Sequence, residues 1–169
     1  GMNWDYIPIG TNTVNAKFWE QSDDIIRAGL DTEMSLLKNM GVNVIRQYTG
    51  VPARWIRYIY EKYGIYTLLN HSFGRYGLTI DGVWIEITDY SDPRTQEFLL
   101  DEVRQLVTQY RNTPGLLMYL LGNENNYGLF WAGAETEDFP DDEQEKQYIG
   151  EQRGRPMYRL MNEAAVLMK

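Results

Sequence analysis

Short runs of β-branched and aliphatic residues alternate with helix-periodic segments along this chain, and that alternation restricts the fold more than any other feature. VNVIRQY at 42–48, IYTLLNHS at 65–72 and LLMYLLG at 116–122 are short, apolar and bounded by turn residues, as strands are. DYIPIG at 5–10 reads as a shorter strand ahead of them. Helical patterns fill the gaps. Asp31-Thr32 is expected to cap a helix over MSLLKNM that Gly41 terminates. Pro52 opens a second helix, in which Trp55, Ile56, Ile59, Tyr60 and Tyr63 share a stripe and Gly64 is the stop. Asp92-Pro93 caps a third, with Phe98, Leu99, Val103, Leu106, Val107 and Tyr110 on one face. Asn112-Thr113-Pro114-Gly115 turns the chain into the fourth strand. After a polar, acidic loop, Pro156 is expected to begin a final helix carrying Tyr158, Leu160, Met161, Ala164, Ala165 and Met168.

Repeated strand-helix units connect by right-handed crossovers and give a parallel sheet. The expectation is therefore an α/β fold, a single domain over residues 1–169, with four parallel strands in the order 1-2-3-4. LLMYLLG, apolar on both faces, suits such a sheet. Loops that follow parallel strands gather at one edge, where α/β proteins place their sites. Asn12, Arg46 to Tyr48, His71 and Glu124 all fall at or near these strand ends. The Gly-rich stretch at 73–91 is too long for a simple connection and is the sort of loop that carries function.

Composition narrows the function classes. A formal net charge of -8 and a pI near 4.7, without a basic stripe, repel phosphate backbones, so nucleic acid is not an expected partner. No run approaches the roughly 18 apolar residues of a membrane span. Zero cysteines and one histidine exclude a disulfide framework, a thiolate metal site and His-rich zinc sets, and no cofactor is expected. Gly1-Met2 reads as the remnant of a cleaved expression tag, so the compartment stays open. Thirteen tyrosines and five tryptophans supply rings with a polar edge, which suit both sugar faces and wet interfaces.

The fourth strand ends in Asn123-Glu124-Asn125-Asn126, an acid set among amides. Two explanations stand side by side. Asparagines tolerate tight backbone, so the segment is a turn; alternatively, Glu124 is a catalytic carboxylate at the edge where chemistry is done.

IPIGTN, LLKNMGVNVIRQY, YEKYGIYTLLNH and NTPGLLMYLLGNENN, in that order, resemble the TIM-barrel catalytic domain of glycoside hydrolase family 2 and its clan A relatives. The resemblance covers nearly the whole chain and is strongest in GVNVIR and in the Asn-Glu pair. It implies hydrolysis of O-glycosidic bonds in β-linked carbohydrates. By that resemblance Glu124 is the general acid/base, protonating the leaving oxygen and then deprotonating water, and Asn123 holds the sugar 2-hydroxyl. It places Arg46 near the nucleophile, His71 and Asn12 at the sugar pocket, and Trp131 as a stacking platform.

The chain departs from that family in extent. A TIM barrel takes ~250 residues and eight units, whereas four are legible here, half of a (β/α)8 barrel. The family nucleophile, a Glu ending strand seven, has no counterpart. Retention needs a second carboxyl ~5 Å from the acid, and Asp81, Glu86, Asp89, Glu135, Glu137 and Asp138 are the available acids in the third and fourth loops. The expectation is a chain inactive alone. It is completed by a missing half, or it acts as a non-catalytic carbohydrate-binding or interaction module. The open strand edges lead to the further expectation of a homodimer that closes a pseudo-barrel.

Overall fold

The computed structural model describes residues 1–4, 17–125 and 142–169. The strand expected over 5–10, Asn12, Trp131 and the acids Glu135, Glu137 and Asp138 lie outside the described residues. Two compact units share the chain, Gly1–His71 with Gln109–Leu120, and Ser72–Thr108 with Leu121–Lys169.

The first unit is built on a sheet of four neighbouring strands, β1 (Met2–Asn3), β2 (Val44–Tyr48), β3 (Tyr66–His71) and β6 (Leu116–Leu121), in that spatial order. They run parallel, with Met2 opposite Ile45 and Arg46 opposite Leu68. This α/β arrangement with sequential parallel strands is the one the alternating pattern predicts. Along β2 and β3 burial alternates: Ile45, Gln47, Thr67 and Leu69 are inaccessible, while Val44, Arg46, Tyr48, Tyr66 and Leu68 are partly open. One face of these strands is thus covered and the other is not. At β6 both Leu117 and Met118 are about half exposed, so the two-sided burial expected of LLMYLLG is not met. The reason is position: among the described strands β6 ends the row, with β3 as its neighbour.

Helix α1 spans Asp23–Asn39 and so begins before the Asp31-Thr32 cap read from the sequence. Ser22 is the N-cap residue, Asp23 and Asp24 complement the helix dipole, and Ile26, Leu30, Met34 and Leu37 form one buried stripe that runs straight past Asp31. The helix ends as expected at Gly41 (φ 81°), where the N–H groups of Gly41 and Val42 bond back to the carbonyls of Lys38 and Leu37. Helix α2, Ala53–Tyr63, keeps both of its expected limits, Pro52 before it and Gly64 after it.

The second unit holds an antiparallel hairpin, β4 (Leu78–Ile80) and β5 (Val83–Ile85), inside the stretch that sequence patterning left as one long loop. Its turn is Asp81-Gly82, both with positive φ (51° and 78°), the type I′ geometry that matches strand twist. Helix α3, Pro93–Tyr110, starts where Asp92 Oδ1 accepts the Arg94 N–H at 2.9 Å.

Helix α4 covers Glu143–Leu167, with Pro156 inside it rather than at its start. Asp142 is the true cap, its carboxylate accepting from the N–H groups of Gln144 and Glu145. The proline is tolerated because Gly150, Gly154, Met157, Leu160 and Ala164 form one buried stripe on either side of it. Pro156 has no N–H to give the Gln152 carbonyl, and Gln152 is exposed. Phe73, Leu78, Tyr90, Leu99, Val103, Met157, Leu160 and Ala164 make the core of this unit. Among the described residues no helix is long and apolar enough to cross a membrane.

Candidate functional site

Three residues past the end of β6 the chain reaches Glu124, in a turn shaped by its neighbours. Asn125 folds its side chain back so that Oδ1 accepts the backbone N–H of Asn123 at 2.6 Å. Gly122 (φ 84°) makes room for this, because a Cβ there would collide with Asn125 Oδ1. The Asn125 amide nitrogen, buried, points the other way. It lies 3.1 Å from the Ser72 carbonyl, 3.0 Å from the Phe73 carbonyl and 3.0 Å from the Tyr90 hydroxyl, which itself donates to the Phe73 carbonyl at 2.7 Å. Burial pushes the Tyr90 phenol up, opposed by the hydrogen bond from Asn125.

The consequence is local. Glu124, between two pinned asparagines, takes a left-handed conformation (φ 55°) that a side chain with a Cβ adopts at a cost of about 1 kcal/mol, and its carboxylate is exposed. Phe73, at the far side of the same hydrogen-bond cluster, is also left-handed (φ 53°). Asn123 Nδ2 donates to the Tyr76 hydroxyl at 2.6 Å, which ties the residue beside the acid to the segment before the hairpin. Asn125 and Tyr76 were not singled out from the sequence. An anchoring asparagine and a turn asparagine look alike until the partners at 72–90 are in view.

A second polar group lies at the ends of β2 and β3. Arg46 donates through Nη2 and Nε to Asn70 Oδ1 at 2.9 and 3.2 Å, and its guanidinium sits 5.2 Å from the centre of the Tyr48 ring. Both partners are on the partly open face, two residues on from Arg46 or its opposite number Leu68. Strand alternation puts His71, which is buried, on the opposite side, with Thr67 and Leu69. Asn70 is the β3 residue whose side chain accepts from Arg46. Its Nδ2 is buried and has no hydrogen-bond partner among the described residues.

Of the candidate second carboxylates, Asp89 accepts both the N–H (2.9 Å) and the hydroxyl (2.6 Å) of Ser91, and Asp81 occupies the tip of the hairpin. Glu86 is exposed. Among the described residues no group of three or more His, Asp or Glu side chains is placed to hold a metal ion. Comparison with known proteins returns no matching family model and no matching curated sequence.

Proposed function

We propose that this chain is a carbohydrate-active protein of the glycoside hydrolase type, in which Glu124 acts as the general acid/base on a β-linked glycoside. The parallel strands would then be the first half of a (β/α)8-type barrel. The observation that carries the reading is the presentation of Glu124. It stands three residues beyond the end of a parallel strand, and Asn123 and Asn125 hold it in a left-handed conformation with the residue exposed. A backbone anchored by a buried network fixes where the carboxylate stands, which suits a positioned proton donor. The proton goes from Glu124 to the leaving glycosidic oxygen as its bond to the anomeric carbon breaks, and a second carboxyl or an external nucleophile takes that carbon.

The experiment follows from that need for a nucleophile. Nitrophenyl β-glycosides would be incubated with the full chain, with and without sodium azide or formate to stand in for the second carboxyl. The expected result is nitrophenolate release that depends on the added anion and falls on the order of 10²-fold or more in Glu124→Gln. Release that Glu124→Gln leaves unchanged, or none for any β-glycoside in either condition, overturns the reading.

A further inference from the structure

Building on the reading of Glu124 as a sugar-site acid, we propose that Trp84 and Tyr76 form an aromatic platform for the neighbouring pyranose ring of a neutral, β-linked oligosaccharide. The two rings are 60% and 55% exposed, so each keeps a face open to a ligand. They are not loose. Trp84 lies on β5 opposite Thr79, in a hairpin closed by the Asp81-Gly82 turn. The edge of its six-membered ring rests on Gly77, where a Cβ would stand only 2.6 Å from Cζ2. Tyr76 precedes that glycine, carries the Arg75 guanidinium 5.2 Å from its ring centre, and accepts the Asn123 amide through its hydroxyl.

A short path of contacts therefore runs from the residue beside Glu124 through Tyr76 and Gly77 to Trp84, all within one unit of the fold. Pre-set rings with polar edges bind the C–H faces of a sugar with little ordering entropy to lose. The charge around them selects the ligand class. Three exposed carboxylates, Asp81, Glu86 and Asp89, border the hairpin against one guanidinium, Arg75 on the Tyr76 ring, and the chain as a whole carries -8, so the balance favours a neutral sugar over a uronate or sulfated one.

Calorimetric titration of the full chain with neutral β-linked glucosyl, galactosyl and mannosyl disaccharides, and with the matching methyl monosaccharides, tests this. Trp84→Ala should weaken disaccharide binding about tenfold, and monosaccharide binding less than about twofold, while Trp84→Phe stays within about threefold of the parent. An unchanged far-ultraviolet spectrum of Trp84→Ala checks the fold, and Trp84→Phe keeps the test alive if the alanine variant unfolds. Disaccharide affinity indifferent to both substitutions overturns the platform and leaves the role of Glu124 standing. Affinity lost in Trp84→Ala with turnover untouched by Glu124→Gln supports the platform and removes the acid. No binding of any disaccharide overturns it, as does concentration-dependent self-association that Trp84→Ala abolishes, which would assign the face to a second copy of the chain.

Discussion

Asn125 Oδ1 and the backbone N–H of Asn123 are 2.6 Å apart, so the residue between them, Glu124, is clamped from both sides by one side chain. The clamp is itself fastened to the Ser72 and Phe73 carbonyls and to Tyr90. Asn125→Ala would remove the side-chain acceptor of the Asn123 N–H and one donor from each of the Ser72 and Phe73 carbonyls. The expected loss is about 1–3 kcal/mol of unfolding free energy, read as a lower urea midpoint. A midpoint unmoved by the substitution would show the clamp to be incidental.

Glu124→Gly should act in the opposite direction. Glycine reaches a φ of 55° without steric penalty, so the variant should gain roughly 1 kcal/mol over the parent while losing any acid/base activity. A loss of stability would mean that the Glu124 side chain makes favourable contacts that outweigh its backbone strain.

The pH dependence of stability has a definite cause at Asp31. Partial burial pushes its carboxyl up, but hydrogen bonds from Lys62 (2.8 Å), Tyr63 (2.5 Å) and Tyr58 (2.7 Å) outweigh that and hold it down to about 2. An unfolded Asp titrates at about 3.9, so its contribution is complete above that value and disappears as pH falls through it toward 2. Lys62 is raised in turn by Asp31, and its contribution is complete below the ordinary lysine range and lost only above it. Asp31→Asn should flatten the acid limb of a stability–pH curve between about pH 4 and 2. A variant curve parallel to the parent over that window would put the acid sensitivity elsewhere.

Pro156→Ala should stabilise the protein. The helix already passes through this position, so restoring an N–H toward the Gln152 carbonyl and removing the ring clash should add about 1–3 kcal/mol. Thermal denaturation measures it, and a lower melting temperature would show that the proline bend is needed for packing of the Met157–Leu160–Ala164 stripe.

We also expect self-association through β6. Leu117 and Met118, about half exposed on the last described strand, suit edge-to-edge pairing of two copies about a two-fold axis. Met118→Lys should then shift sedimentation toward monomer; a parent chain monomeric at 100-fold differing concentrations, from about 1 µM upward, removes the idea.

Much of the architecture could be read in advance because its signals are local. Pro52 and Gly64 bound α2, Asp92 caps α3, and the β-branched runs mark β2 and β3, each within a few residues of its cause. Two helices start earlier than their local signals suggest. Asp31-Thr32 and Pro156 both imitate start signals, and only the burial stripe passing through them shows otherwise. The Asp81-Gly82 pair is a local hairpin signal. The site resisted for a different reason. That Asn70 shares a face with Arg46 depends on strand parity and register, and whether Asn125 is a turn or an anchor depends on carbonyls more than fifty residues away.

That last separation bears on how the molecule assembles. The bonds from Asn125 to Ser72 and Phe73 close loops of 53 and 52 residues, among the longer connections in the chain. Contacts so distant in sequence tend to form after the local helices and the hairpin, and to open before the rest in mild denaturant. The backbone around Glu124 is thus set late and released early. Amide exchange at Asn123 should report this as a separate, lower-energy opening, which would make readiness for chemistry a property that can be lost while most of the protein remains folded.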